Sequence, residues 1–441
     1  MKDQVSLDQK LEYKGYWYLP SSPEKKIAGN LTYYPNEKIV LELFGGFNTS
    51  LSALFNSNSQ QEPIIYGKTS DAKEITLLQC FQNVKINLSA DFPIISYTCN
   101  FMIVGKLIAD FDEKCQYTAR VRIPELTYWC HPQTIDINFP NAEDPSDNMT
   151  ISVNTHQTLN DIEVKVDDKT SILLKKNCNC STKNMLLNVQ LEQYAYLEII
   201  KQNAVSIKEL LTDIYKYEQF ISLATLNIVK SSQIILYDSK LCEQKNYTPI
   251  YLIHPFTERL DITPNFQVHE YLFTYSTIQD IYPDILQIWY NAKEELNPIR
   301  SHLIESLKKK KVYGSVDFLI IIQAIEGFWW RFKDKVYREQ HSIPSKEKTM
   351  LNTILTELKN DFLDIALIKN LDIDIAAIVD SRHYYSHFVL CDKKPKRLDG
   401  WDLIKQAKNL RLLLICCILS FIGLDNSRIN TIFAKSNSKL I

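Results

Sequence analysis

The segment SVDFLIIIQAIEGFWWRF, residues 315–332, decides how the C-terminal third of the chain is read. Its apolar residues run almost without interruption. A helix that is apolar on every side lies at the centre of a bundle rather than on its surface. Inside its apolar stretch IIIQAIEGFWW one acidic residue, Glu326, interrupts the run. A buried carboxylate needs a partner. Arg331, or solvent if that face turns outward, is the ordinary answer. The sharper one is that Glu326 reaches Arg382 on a neighbouring helix and orients it.

Helical patterning continues on both sides. PDILQIWYNAKEEL opens on Pro283, a favoured first-turn residue. MLNTILTELKNDFLDIALIKN, residues 350–370, carries an apolar stripe at Leu351, Ile354, Leu355, Leu358, Phe362 and Ile365. A last long helix is expected over residues 401–424, giving four or five helices in all. Further upstream the pattern changes. NLTYYPNEKIVLELFGGF reads as two strands about a turn at Pro35 to Lys38, and ARVRIPELTYW and TIDINF alternate in the same way. Residues 48–61 and 141–148 read as polar loops. DIEVKVDDKTSILLKK predicts a hairpin turning at Asp167 and Asp168. Ser206 and Glu209 form a capping-box pattern ahead of Ile207, Leu210, Leu211, Ile214 and Ile221, and SQIILYD and PIYLIHP return to strand character. The expected class is α+β, with a β-rich domain over residues 1–150, a mixed region over 151–290 and a helical domain over 291–441.

A chain of 441 residues forms two or three domains. Its ten cysteines follow no framework of spacings, which predicts reduced thiols in a cytosol. The N-terminus lacks the apolar core of a secretory signal, and the longest apolar run, residues 412–424, is too short to span a bilayer. A cytoplasmic protein without membrane contact is expected. Residues 301–441 hold 23 Lys and Arg against 16 Asp and Glu, leaving 27 against 36 for the remainder. A basic third on an acidic body suits a polyanionic partner, and equally a lysine-rich solvated surface.

DSRHYYSHF, residues 380–388, concentrates unusual chemistry in a chain with eight histidines. Cutting RNA without metal requires a base for the ribose 2′-OH, a cation for the phosphate and an acid for the leaving 5′ oxygen. Histidine suits the proton transfers and arginine the phosphate. Arg382 and His387 lie five helical steps apart, about 140° in rotation, so on a regular helix they would face different ways. Either the motif lies at a frayed helix end, or a two-fold dimer completes the site. An ordinary polar helix end is the competing reading. His383 and His387 share a face at i and i+4, a zinc-ligand spacing with Cys391 as a third donor, but no carboxylate is placed between them as base. Cys178 and Cys180, and the pair Cys130 and His131, read as ordinary cysteines more readily than as metal ligands. No metal or cofactor is expected. Of two basic clusters, Lys308 to Lys311 reads as a solvated surface. Lys393, Lys394, Lys396 and Arg397, beside the motif, are candidate RNA contacts, and Tyr384 could stack on a base.

These residues resemble a known family. DSRHYYSHF is similar to the motif of HEPN-domain ribonucleases, with Arg382 and His387 as the defining pair and His383 in the polar place often held by asparagine. FLIIIQAIEGFWWRF and NLRLLLICCILSFIGL resemble the bracketing helices of the ApeA-like HEPN subgroup. Residues 15–47, residues 63–80 and YLFTYSTIQDIYPDILQIWY resemble the ApeA N-terminal domain. The resemblance implies an anti-phage, abortive-infection effector acting as a metal-independent endoribonuclease. It would dimerise through its HEPN bundle, or assemble further, while the N-terminal β-rich part senses infection, through a phage-derived trigger, or restrains the nuclease. Arg382 would hold the phosphate, His387 would transfer a proton and His383 would assist. The alternative is a HEPN scaffold that dimerises and binds nucleic acid without cutting it.

Overall fold

The computed structural model describes residues 5–35, 37–47, 61–83, 94–139, 149–153, 161–183, 188–238, 249–254, 266–308, 314–344 and 348–436. Residues 48–60 of the expected loop at 48–61, the expected loop at 141–148, and Lys309, Lys310 and Lys311 lie outside them, and Gln61 opens a strand instead. The chain divides into two compact units. One comprises Met1–Thr127, Pro132–Tyr215 and Lys230–Thr263, and the other Tyr128–His131, Lys216–Val229 and Pro264–Ile441. The class is α+β.

The first unit is built on strands β1 (Leu11–Tyr18), β2 (Ile27–Tyr34), β3 (Lys38–Phe44), β4 (Gln61–Thr69), β5 (Glu74–Gln82), β6 (Ile94–Val104) and β7 (Tyr117–Arg122). After them come β8 (Ile135–Asn138), β9 (Thr150–Val153), β10 (Ile162–Asp167), β11 (Thr170–Lys183), β12 (Asn188–Lys201), β13 (Gln233–Asp238) and β14 (Ile250–Ile253). The twelve-stranded sheet runs β10-β11-β12-β7-β13-β14-β6-β3-β2-β1-β4-β5, and β5 also pairs with β6. That extra pairing closes β6, β3, β2, β1, β4 and β5 into a ring, which removes the open edges of that half of the sheet. Alternate residues fill the interior: Ile27, Leu31 and Tyr33 from β2, Ile39, Leu41 and Leu43 from β3, and Trp17 from β1. The far end of β6 passes to β14 at Met102 to Val104, and the sheet continues outward from there. The β10–β11 hairpin turns over Asp168 and Lys169.

The expected strand character of ARVRIPELTYW stops at Arg122. PELTYWC is a helix, α1 (Pro124–Cys130). Pro124 supplies the preset φ of a first turn and Glu125 faces the helix dipole there. Leu126, Trp129 and Cys130 are buried at spacings of three and four, the helical period. Helix α2 (Ile207–Thr225) starts as its sequence dictates. Ser206 N–H donates to Glu209 Oε2 (2.7 Å), and Glu209 N–H returns a bond to Ser206 Oγ (3.2 Å).

The second unit is helical: α3 (Tyr282–Asn291), α4 (Lys293–Ser306), α5 (Ser315–Phe328), α6 (Asp334–His341), α7 (Leu351–Asn360), α8 (Ile375–His387), α9 (Gly400–Phe421) and α10 (Asn426–Lys435). Helix α5 packs against α4, α8 and α9, burying Phe318, Ile321, Ile322, Ile325 and Phe328, so it occupies the centre of the bundle. One wide π-helical turn, Trp329–Lys333, joins it to α6. The stripe that predicted one helix through Ile365 is broken. Helix α7 ends at Asn360, and Phe362 and Ile365 reach the core from a turn. Side chains of α10 take up the released backbone groups: Asn426 Nδ2 donates to Asp361 O (2.9 Å) and Ala366 N–H donates to Asn430 Oδ1 (2.9 Å). No described helix is long and apolar enough to cross a membrane.

Candidate functional site

Helix α8 starts at Asp374, whose side chain accepts from Ala377 N–H (2.9 Å), and stops at Phe388, which adopts a left-handed conformation (φ 51°). His387 is therefore the last helical residue. At that end the rotation per residue is no longer fixed by a following turn, and the long arginine side chain spans what remains. Arg382 Nη1 donates to His387 Nε2 (2.7 Å). Arginine has only donors, so in this contact the His387 nitrogen takes the acceptor role. Arg382 Nη2 lies 3.5 Å from Glu326 Oε1 on α5. Of the two partners considered for Glu326, the distal one is found. Arg331 instead donates to the Glu295 carbonyl (2.5 Å). A single chain thus brings Arg382, His387 and Glu326 together.

The loop after α8 is tied back onto it. Ser381, fully buried, donates to Ala377 O (2.7 Å) and accepts from Leu398 N–H (2.7 Å). Asp380 accepts from Lys394 Nζ (3.2 Å) and from Lys396 N–H (3.3 Å). Tyr385 donates to Leu398 O (3.0 Å). Neither Asp380 nor Ser381 was singled out from sequence. The signal for Asp380 was an acidic residue on the helix preceding the basic cluster KKPKR, a charge complement within one short span.

The four basic candidates are placed differently. Lys393 points to solvent. Lys394 is held by Asp380. The Arg397 guanidinium lies over the Tyr384 ring, 5.0 Å from its centre, so that face of Tyr384 already carries a cation–π contact. Lys396 borders a groove of about 740 Å³, together with Glu326, Asp380, Arg382 and His383. The other wall is the first turn of α7, which the sequence reading did not connect to the motif.

His383 and His387 stand with ring centres 5.9 Å apart. Among the described residues no group of three or more His, Cys, Asp and Glu side chains is placed to hold a metal ion, and the Cys391 side chain lies outside the described part. Cys178 and Cys180 sit on β11 opposite Gln193 and Leu191.

Burial, then the positive charges of Lys394 and Arg382, hold the His383 pKa below its usual value, outweighing the attraction of Asp380. Folding thus favours the neutral ring. As pH falls through the usual histidine range, near 6.5, the unfolded chain takes up this proton more readily than the folded one, so stability drops with acid. The urea midpoint of the wild type should fall further between pH 7.5 and 5.5 than that of His383→Asn. Equal slopes would mean that His383 is not the group responsible.

Two family profiles match the chain. ApeA N-terminal domain 1 covers residues 12–289 and Apea-like HEPN covers residues 319–428. No curated protein and no solved structure matches it.

Proposed function

Because the chain belongs to the ApeA N-terminal domain 1 family and carries an Apea-like HEPN domain, we propose that it is an anti-phage effector that cuts RNA without a metal ion. The helical domain over residues 291–441 is the nuclease, and the β-rich part answers the phage-derived trigger. The observation that carries this reading is the contact between Arg382 and His387 beside an open groove.

The geometry suits the chemistry. A phosphodiester entering the groove takes the Arg382 guanidinium, whose forked donors match its two oxygens. That movement releases His387 Nε2, the acceptor in that contact, to receive the proton of a ribose 2′-OH. The 2′ oxygen forms a bond to phosphorus, the bond to the 5′ oxygen breaks, and water protonates the departing oxygen. The product strand ends in a 2′,3′-cyclic phosphate. Glu326 sets the direction of the guanidinium before substrate arrives, and His383, neutral at pH 7, assists as a hydrogen-bonding partner. Lys396 at the groove and Lys393 outside it attract the RNA backbone, with Lys394, Arg397 and Tyr384 holding the loop that presents them.

Phe388, Leu390 and Trp401 flank the motif and are 87%, 66% and 84% exposed. Large apolar residues this open beside a site favour a covered face, and a homodimer through the helical bundle would cover it. The scattered thiols support a cytoplasmic location.

The test uses the full-length protein in EDTA with mixed cellular RNA and with single-stranded DNA. The expected result is cleavage of RNA alone, with cyclic phosphate ends, because DNA lacks the 2′ nucleophile. Tight RNA binding without cleavage would establish the scaffold alternative. Loss of activity in EDTA would return the His383 and His387 pair to consideration as metal ligands.

A further inference from the structure

The barrel wall has a weak point on β5. Gln79 sits in the left-handed region (φ 53°), which a residue with a Cβ adopts only under strain. Its place in both ladders is interrupted. On the β4 side the register passes from Glu62 and Cys80 to Ile64 and Leu78, and the residue skipped is Pro63, which has no N–H to donate. On the β6 side it passes from Cys80 and Cys99 to Leu78 and Phe101. A side-chain bond from Asn100 Nδ2 to Gln79 Oε1 (2.8 Å) spans the gap. A strand that is strained and unpaired at one residue opens there at low cost.

Two thiols stand beside that point. Cys80 follows Gln79 directly, and its register partner on β6 is Cys99. Both are fully buried in the barrel interior, so both side chains leave the sheet on the same face. Residues directly opposite on antiparallel strands have Cα atoms about 4.5 or 5.5 Å apart. Either spacing falls inside the roughly 4.4–6.8 Å that a disulfide spans. Other neighbouring cysteines are placed less well. Cys178 and Cys180 follow one another along β11, about 6.8 Å apart at two strand steps, which is the limit of that range. Cys416 and Cys417 stand about 100° apart around helix α9. Among the described residues no other two cysteines are register partners.

We propose that Cys80 and Cys99 form a reversible dithiol–disulfide pair, oxidised by peroxide through the weak point at Gln79, and that the bond then locks the barrel wall. Both are free thiols in the structure. Burial, then the contact with the Cys80 thiol, raises the Cys99 pKa well above its ordinary value, so the closed wall keeps that thiol protonated and slow to react. Opening at Gln79 admits water and peroxide to Cys80. Its thiolate attacks the peroxide: an S–O bond forms, the O–O bond breaks, and the departing hydroxide takes up the thiol proton as water. The Cys99 sulfur then displaces the remaining oxygen: the S–S bond forms, the S–O bond breaks, and a second water leaves with the second thiol proton. Two thiols and one peroxide give one disulfide and two waters. Eighteen residues lie between the two cysteines, and closing a loop of that size restricts the opened states more than the closed one. The device is independent of the ribonuclease reading.

The experiment exposes dilute full-length protein to hydrogen peroxide, alkylates the remaining thiols in denaturant, and maps linked peptides by mass spectrometry without reduction. The expected product is a bond between Cys80 and Cys99 that dithiothreitol reverses. Amide hydrogen exchange across β5 should slow about tenfold in the oxidised protein and recover on reduction. Cys99→Ala should show neither the bond nor the slowing. A buried substitution can disturb the barrel by itself, so the wild-type map carries the decision. Three results would each overturn the proposal. Cys80 and Cys99 could still alkylate as thiols after the exposed Cys180 has oxidised. Either could be joined to a different cysteine. The bond between them could form and leave exchange in β5 unchanged.

Discussion

Arg382→Ala and His387→Ala should each reduce the rate of RNA cleavage by at least about 100-fold while leaving the melting behaviour nearly unchanged. A positioned proton-transfer group is worth roughly 10²–10⁴ in rate, and a donor aimed at developing negative charge roughly 10²–10³. The structural cost is small, because Arg382 borders the groove and His387 ends the helix, and neither is buried in the core. Arg382 loses one contact to His387 and one long contact to Glu326, and such a partly exposed pair contributes about 1 kcal/mol or less. Arg382→Lys keeps the charge but loses the fork, so it should recover only part of the activity. Glu326→Gln distinguishes positioning from folding. It should lower kcat about tenfold in the wild-type background and have no further effect on Arg382→Ala, since the two residues act as one unit. Should Arg382→Ala cleave RNA at the wild-type rate, the motif is not the active site and the proposed function fails with it.

Sequence made this motif visible because an arginine and two histidines in six residues stand out against apolar neighbours. It left the spatial relation of Arg382 and His387 open, since 140° of helix rotation separates them in a regular helix. The resolution lies in Phe388: a left-handed residue at that position stops the helix and leaves His387 at its end. The groove was not legible, because Leu351 and Asn352 come some thirty residues before the motif and no short-range pattern links them to it. In the fold, local signals were reliable. The capping box at Ser206, the strand alternation of Ile39, Leu41 and Leu43, and the continuous apolarity of α5 each reported their own element. Non-local events were hidden. The closure of the barrel depends on β6 pairing with both β3 and β5, and the sequence of a strand does not state how many partners it has. Helix α1 was missed where Pro124 follows an alternating strand. Its seven residues hold too few turns for a period of 3.6 to separate from a period of 2.

Trp17→Ala should destabilise the β-rich unit by about 3–5 kcal/mol, a large share of the roughly 5–15 kcal/mol by which domains are stable. Trp17 is fully buried, and its Nε1 donates to the Gly29 carbonyl (3.2 Å). Its ring lies on Gly67, its register partner on β4, so closely that a Cβ there would meet ring carbons at 2.2 and 2.4 Å. Glycine is thus required at residue 67 by the ring on β1, and the ring covers the backbone that glycine leaves open. Gly67→Ala should therefore be destabilising in its own right, by about 1–3 kcal/mol or more, through overpacking. The two changes occupy the same space, so they should not add. In Trp17→Ala/Gly67→Ala the methyl enters room that the indole has vacated, and the loss should be smaller than the sum of the singles. Far-UV circular dichroism near the β-sheet minimum, followed in urea, reads this without depending on tryptophan emission. If Gly67→Ala unfolds at the wild-type midpoint, the indole does not pack on that strand, and the barrel interior is not closed across β1 and β4 in the way described.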